Sequence, residues 1–143
     1  MSGRDWLDAI VAGERPPPPA VALIGFDLVH VGDGCTTFRF VPDERHLNPL
    51  GSVHGGVLST VADTALTTAV ASRLDGDGMS TTVDLHVSFI RPVTIATGPL
   101  TCEARAVHIG GTLAYARAEM VDGAGSLYLQ ASATLRILTV LRA

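Results

Sequence analysis

The chain is poor in cysteine, in charged residues and in long apolar segments. Its 143 residues include two cysteines, Cys35 and Cys102, and neither lies in a CxxC or Cys-His pattern. That usage argues against a disulfide scaffold or a zinc site and indicates a reducing compartment. No apolar run approaches the ~20 residues of a membrane helix, and the first residues lack the order of a signal peptide. We therefore expect a cytoplasmic protein that does not insert into a membrane.

Lysine is absent, and all ten basic residues are arginine. Charged residues make up 17% of the chain, and the formal net charge is −4. Because binding to a phosphate backbone needs a basic face, this balance argues against a nucleic-acid partner. Hydrophobic residues make up 47% of the chain. A large core is therefore expected, and the low charge also suggests surface buried in an oligomer.

The length fits one domain preceded by an arm. Residues 1–20 are interpreted as an N-terminal arm, with a short amphipathic helix through Trp6, Leu7, Ile10 and Val11 and a proline-rich linker. Proline lacks the amide donor that a helix interior needs, so the run at 16–19 ends this helix. Residues 21–143 are interpreted as a single domain.

The hydrophobic periodicity divides this domain into strands around one helix. Apolar residues recur at helical spacing over 54–73. Alternating segments predict strands over 22–31, 35–42, 81–92, 100–109, 112–121 and 126–138. In the strand after the helix, Val83, Leu85, Val87 and Phe89 are expected on one face, with Thr82 on the other. One long helix between two sets of hairpins predicts an α+β fold, with an antiparallel sheet packed on the helix.

The helix carries a lone carboxylate, which is unusual on so apolar an element. Asp63 is the only charged residue between His54 and Arg73. A helical aspartate is usually a solvated surface residue, but this helix has no charged face to which it could belong. Ser59 and Thr67 lie one turn before and after it. A partly desolvated carboxylate between hydroxyls is a candidate functional group.

The start of the helix offers a second candidate. Its free amides carry partial positive charge, and Gly55 and Gly56 allow a ligand to approach the backbone closely. Donors of this kind contribute ~3–4 kcal/mol to acyl-transfer catalysis. Gly55 and Asp63 are eight residues apart, or about 12 Å along one helix. An enzyme that uses both groups on one carbon must therefore pair two copies of the helix antiparallel, as a dimer with two shared sites.

The motif at this position resembles a known family. The sequence matches the pattern N-x-x-G-x-x-H-G-G with an aspartate nine residues after the histidine. The matching residues are Asn48, Gly51, His54, Gly55, Gly56 and Asp63. This pattern closely resembles the hotdog-fold acyl-CoA thioesterases of the phenylacetate-degradation (PaaI) type. The strands after the helix also resemble those of that group, so that the likeness covers residues 24–138.

The resemblance implies a long central helix wrapped by an antiparallel sheet, in homodimers that often pair into homotetramers. It implies that the Gly55 amide polarises the thioester carbonyl. Asp63 of the other chain then acts as nucleophile or as general base for water. Asn48 helps to place the thioester or the water, and His54 orients the loop.

Further residues are assigned to substrate binding. The hydroxyl that holds the water in such proteins falls on Thr82, with Thr81 as a near substitute, and Thr67 can contribute from one turn after Asp63. Coenzyme A carries phosphates, for which Arg91 and the turn at Gly110 and Gly111 are candidates. Coenzyme A is part of the substrate, and no metal or organic cofactor is implied. The remaining histidines are interpreted as structural or surface residues: His30, His46, His86 and His108.

Two other activities stay open on the same fold. A non-catalytic acyl-CoA-binding protein would keep the helix-end site without needing an acid or a base, although the presence of Asp63 speaks against it. A hotdog dehydratase would need a histidine acting together with a carboxylate at carbon, which the positions of His54 and Asp63 make less favourable. A structural oligomer without catalytic activity is the third alternative to the thioesterase.

Overall fold

A computed structural model describes residues 1–139 and shows a six-stranded antiparallel sheet around one long helix. The helices are α1 (Gly3–Val11), α2 (Pro19–Ile24) and α3 (Gly55–Ala71), with 3-10 turns at Glu44–His46 and Ile95–Thr97. The strands are β1 (Phe26–Gly32), β2 (Cys35–Phe40), β3 (Gly78–Phe89), β4 (Leu100–Ile109), β5 (Leu113–Asp122) and β6 (Leu127–Thr139). This is the predicted α+β arrangement.

The sheet has the order β1-β2-β4-β5-β6-β3, and every neighbouring pair is antiparallel. Strands β1 and β3 therefore form its two edges within residues 1–139. Large apolar side chains are exposed along the β3 edge, where Met79, Val83, Phe89 and Ile90 each keep about half or more of their surface in contact with solvent. Exposed apolar residues on an unpaired edge strand are typical of a surface that pairs with another chain.

Helix α3 supplies the centre of the core. Its inward face consists of seven buried side chains, Leu58, Val61, Ala62, Ala65, Leu66, Ala69 and Val70. They pack against the inner face of the sheet, whose buried positions include Phe40, Leu100, Met120, Leu129 and Leu135. Alanine recurs on both surfaces, so the helix backbone approaches the sheet closely. No helix in residues 1–139 is both long enough and apolar enough to cross a membrane.

The N-terminal arm is folded onto this core. Ser2 caps α1, because its hydroxyl accepts a hydrogen bond from the Asp5 amide while the Asp5 carboxylate accepts one from the Ser2 amide. Leu7 is 1% exposed. The start of the arm abuts the last turn of α3, where a side chain at Gly3 would overlap the carbonyl of Ala71. The arm is therefore part of the packed structure.

Two predictions about strands are wrong. The first strand was expected from residue 22, but α2 continues to Ile24 and β1 begins at Phe26, after Gly25 closes the helix in the left-handed conformation (φ +84°). Pro19 lies in the first turn of α2, where its missing amide costs nothing.

The second error concerns the faces of β3. A bulge between Thr82 and Asp84 places Val83 outside the regular pairing with β6. Val83 is 60% exposed, whereas Thr82 is half-buried and faces α3. Leu85 and Val87 are half-buried beyond the bulge, as predicted, but Phe89 is half-exposed at the end of the strand. The assumption of unbroken alternation fails because one extra residue inverts the pattern.

Candidate functional site

His54 organises the start of helix α3. It is the N-cap residue, and its ring Nδ1 accepts a hydrogen bond from the Gly56 amide at 2.8 Å. The amide of His54 itself donates to the carbonyl of His46 at 2.8 Å. A side chain at Gly56 would lie 2.9 Å from His54 Nδ1, so glycine is what allows the ring to fold back over the first turn. The Gly56 amide is therefore engaged in capping.

The Gly55 amide is placed differently. Among residues 1–139 it has no hydrogen-bond acceptor, and it lies at the positive end of a 17-residue helix. The ring of Phe89 lies beside it, since a Cβ added at Gly55 would be 3.0 Å from Phe89 Cζ. An oriented donor without a partner, at a position where a side chain would crowd an aromatic ring, is suited to receive a carbonyl oxygen of a ligand.

Asn48 holds the loop that precedes the helix. Its side-chain Oδ1 accepts hydrogen bonds from the amides of Leu50 and Ser52, at 2.9 and 3.2 Å. Its Nδ2 donates to Ser52 Oγ at 2.9 Å. Gly51, at φ +83°, makes the turn in a conformation that favours glycine. Within one chain the Asn48 amide group thus stabilises the loop, and one of its two N–H donors is engaged.

Asp63 lies half-buried in the middle of α3, facing β3. Thr82 Oγ1 donates a hydrogen bond to Asp63 Oδ1 at 2.6 Å. The second carboxylate oxygen accepts no hydrogen bond within residues 1–139. The hydroxyls of Ser59 and Thr67, expected to flank the carboxylate, donate instead to backbone carbonyls one turn earlier, Gly55 O and Asp63 O. Thr82 is therefore the hydroxyl that the fold places against the carboxylate, and Thr81 is exposed beside it.

A single chain does not bring Gly55 and Asp63 together. They lie eight residues apart on one continuous helix, so about 12 Å separates them along its axis. The two groups have different neighbours: Phe89, at the end of β3, packs on Gly55, and Thr82, near the start of the same strand, binds Asp63. Helix and strand thus run in opposite directions, with one half of the site at the start of α3 and the other at its middle.

The residues assigned to coenzyme A also lie apart within one chain. Arg91 follows β3 at the end of the sheet where its amide donates to Tyr128 O at 3.4 Å. The turn at Gly110 and Gly111 joins β4 to β5 at the opposite end. Arg91 is exposed, and Gly110 closes its turn by donating to Leu113 O at 2.8 Å.

His46 is a positioning residue that the sequence did not single out. It is 3% exposed, and its Nδ1 accepts a hydrogen bond from the Asp43 amide at 3.0 Å. An amide can only donate, so Nε2 carries the ring proton and donates to Ile24 O at 2.6 Å. With its carbonyl bound to the His54 amide, His46 ties the start of α3 to the end of α2. The spacing Asp43-x-x-His46, typical of a capped turn, was the available signal.

Neither Cys102 nor a metal site in residues 1–139 is indicated as the reactive group. Cys102 is fully buried, and burial raises the pKa of its thiol to about 12, so the nucleophilic thiolate does not form at neutral pH. In the part of the chain that the structure describes, no group of three or more His, Cys, Asp or Glu side chains is placed to hold a metal ion. The carboxylate of Asp63 is the strongest candidate for a catalytic group.

Comparison with known proteins gives a consistent result. The family model described as the thioesterase superfamily matches residues 50–128. A Halobacterium salinarum protein with the name "Putative esterase" is 33% identical over 131 residues, which cover 87% of this chain and 85% of that one. Acyl-coenzyme A thioesterase 13 of Mus musculus is 31% identical over 81 residues, covering 56% of each chain.

Solved structures agree with the sequence relatives. A phenylacetic acid degradation-related protein from Ralstonia eutropha JMP134 is 27% identical, with a TM-score of 0.82 over 92% of this chain and 98% of that one. The family match includes the loop at Gly51, the helix start and Asp63, and it excludes the N-terminal arm. The chain therefore belongs to the thioesterase superfamily and, within it, to the hotdog-fold proteins of the PaaI type.

Proposed function

We propose that this chain is an acyl-CoA thioesterase that works as a homodimer with two shared active sites. The observation that carries the proposal is the division of the site along α3. An amide without an acceptor begins the helix at Gly55, and a carboxylate held by Thr82 lies two turns later at Asp63. The family relationship supports thioester hydrolysis as the reaction.

The exposed edge of β3 is where the second subunit would bind. Its unpaired backbone groups and apolar side chains, including Val83 and Phe89, favour pairing with another strand. A two-fold axis makes two copies of β3 antiparallel. Because α3 runs opposite to β3, this pairing would bring Gly55 of one subunit towards the partner subunit's Asp63. Arg91 would likewise approach the partner's Gly110 and Gly111, which are then candidates for one coenzyme A site.

The chemistry follows from these groups. The Gly55 amide donates a hydrogen bond to the thioester carbonyl and stabilises the oxyanion that forms on it. As a general base, Asp63 takes a proton from water as the water oxygen bonds to the carbonyl carbon; the C–S bond then breaks, and the thiolate leaves and is protonated. As a nucleophile, the Asp63 carboxylate bonds to that carbon first, the C–S bond breaks, and the thiolate leaves and is protonated; water then hydrolyses the resulting anhydride and frees Asp63. Thr82 holds the carboxylate, or the water beside it, in either case.

The other assigned residues support this chemistry. His54 and Asn48 hold the loop so that the Gly55 amide points outwards, and the second N–H of Asn48 is available to the thioester or the water. Gly56 and Thr67 are proposed to line the substrate channel. The reaction requires no cofactor beyond the coenzyme A of the substrate. We also propose that two such dimers pair into a homotetramer and that the protein acts in the cytoplasm.

The proposal is tested by following free-thiol release from a panel of acyl-CoA esters. The wild-type protein should hydrolyse at least one ester, and Asp63→Asn should lower turnover by two or more orders of magnitude while the melting temperature is maintained. Asp84→Asn is the matched control, because this exposed carboxylate on β3 accepts one hydrogen bond within residues 1–139, from the Thr134 amide at 3.0 Å. Wild-type-like activity of Asp63→Asn would remove Asp63 from the mechanism.

The same panel separates hydrolysis from the alternatives. Tight binding of acyl-CoA without turnover by the wild-type protein would favour a non-catalytic acyl-CoA-binding protein. Loss of water from a 3-hydroxyacyl-CoA would identify a dehydratase, although His54 has its Nδ1 engaged with the Gly56 amide.

A further inference from the structure

A pocket lies between the N-terminal arm, β1, β2 and α3. Trp6 and Ile10 of α1, together with Pro18, form its outer wall, and Phe26, Thr64 and Thr68 are among the residues on the inner side. Its volume is about 120 Å³. The wall is almost entirely apolar. Among the described residues that line the pocket, only Asp27 is charged, and its side chain is exposed at the rim.

The two threonines of the inner wall present no polar group that needs a partner. Thr64 Oγ1 donates to Thr60 O at 2.8 Å, and Thr68 Oγ1 donates to Thr64 O at 2.7 Å. Throughout residues 1–139 no buried side-chain nitrogen or oxygen lacks a partner. A ligand in this pocket would therefore meet hydrocarbon and aromatic surface, which favours an uncharged alkyl group.

One residue that lines the pocket is the chain neighbour of the proposed catalytic carboxylate. Thr64 follows Asp63 directly in α3, and successive helical residues are about 100° apart around the axis. At the ~10–12 Å diameter of a helix with its side chains, this angle separates the two side chains by about 8 Å. A chain of about six carbons spans such a distance, given bonds of about 1.5 Å.

The volume limits what can fill the pocket. A cavity of ~150 Å³ lined by Leu, Ile and Phe stays dry and accommodates benzene. A pocket of about 120 Å³ is thus large enough for a few terminal carbons of an acyl chain and too small for a long one.

We infer that the arm forms the end of the acyl site, and that the preferred substrates carry uncharged acyl chains of about 8–10 carbons. This inference rests on the proposed thioesterase function. In it the first carbons of the chain cross α3 from Asp63, and the last ones lie between Trp6 and Thr64. The arm then sets the chain-length preference of this protein.

The chain contains a single tryptophan, Trp6, and this residue lines the pocket, so tryptophan emission reports on the pocket. In the Asp63→Asn protein, octanoyl-CoA and decanoyl-CoA should change the emission of Trp6 in a saturable way. Butanoyl-CoA and coenzyme A should bind without doing so. An emission that stays constant at saturation with octanoyl-CoA would place the acyl chain elsewhere and overturn the inference.

Substitutions at Ile10 should shift chain-length selectivity in opposite directions. Each methylene in an apolar pocket is worth a discrimination of ~10-fold or more. Ile10→Phe should therefore lower kcat/KM for octanoyl-CoA relative to butanoyl-CoA by about tenfold, and Ile10→Ala should move the optimum towards longer chains. Val11→Ala, on an exposed side chain of the same helix, is the matched control. An equal shift in the control, or none at Ile10, would contradict the assignment.

These measurements distinguish the two proposals. If no ester is hydrolysed but Trp6 responds to octanoyl-CoA, the thioesterase proposal fails and the pocket remains an acyl-binding site. Esters could instead be hydrolysed while substitutions at Ile10 leave chain-length selectivity unchanged and octanoyl-CoA leaves the emission of Trp6 unchanged. In that case the thioesterase proposal stands and the arm has no part in specificity.

Discussion

Thr82 donates its hydroxyl hydrogen to Asp63 over 2.6 Å, and Thr81 beside it is exposed. Thr82→Val keeps the branched shape but removes this hydrogen bond. Since a hydrogen bond to a charged group contributes about 1.5–3 kcal/mol, we expect kcat/KM to fall by about 10- to 100-fold. Steady-state hydrolysis of the best acyl-CoA ester measures the effect, together with the free energy of unfolding in urea.

Thr81→Val is the control for that substitution, because it makes the same chemical change one position away. It should leave kcat/KM within about twofold of the wild type, since Thr81 does not face the carboxylate. A loss of activity that is equal in both variants would show that hydroxyls on β3 act through stability, and Thr82 would lose its role beside Asp63.

The sequence alone identified some residues of the candidate site, but it did not identify which of these two threonines binds Asp63. The lone carboxylate in an apolar helix was visible as a functional candidate, and so were the glycines at the helix start. Strict alternation, however, predicted that Thr82 faces away from Leu85 and Val87. The bulge at Val83 places Thr82 on the same face as Leu85 and Val87, and a pattern with a period of two residues does not reveal a bulge. The identity of the hydroxyl that binds Asp63 therefore needed the structure.

At the scale of elements, the start of α3 offers a test of the amide itself. Gly55→Pro removes the N–H, and proline is well accommodated at the first helical position. His54 has φ −58° and ψ 132°, the extended conformation preferred before proline. Removing one oxyanion donor lowers turnover by ~10²–10³-fold, so we expect that loss in kcat together with a melting temperature close to that of the wild type.

Gly55→Ala is the matched control, since it adds a Cβ at the same place but keeps the amide. Either substitution brings that Cβ to about 3.0 Å from Phe89 Cζ, and the half-exposed ring can move outwards. Comparable losses of activity in both variants would assign the effect to the crowding of Phe89. In that case the amide would not be the donor.

The sequence predicted some helices and strands accurately and missed others. Helix α3 and the β4–β5 hairpin were predicted almost to the residue, because long periodic patterns and glycine turns leave few alternatives. Helix α2 was missed, since six residues after a proline run fit an extended chain equally well. The docking of α1 through Leu7, which creates the pocket at Trp6, depends on contacts between distant segments and could not be read from the local pattern.

At the scale of the whole molecule, the antiparallel directions of α3 and β3 would make the proposed shared site a consequence of symmetry. One chain carries the donor at the start of the helix and the carboxylate at its middle. A two-fold axis at the β3 edge would place the Gly55 amide of each subunit beside the partner subunit's Asp63. A site contained in one chain would require α3 to bend sharply between Gly55 and Asp63, and the helix is continuous there.

Mixed dimers test this arrangement directly. When Gly55→Pro and Asp63→Asn proteins exchange subunits, a mixed dimer should contain one site with both Gly55 and Asp63 and one with neither. Random exchange yields mixed dimers in half of the population, so activity should recover to about a quarter of the wild-type level from two nearly inactive samples. Mixed dimers isolated through two different affinity tags should reach about half. If these isolated dimers stay inactive, both groups act within one chain, and the distance of about 12 Å along α3 would then exclude the Gly55 amide from the reaction at Asp63.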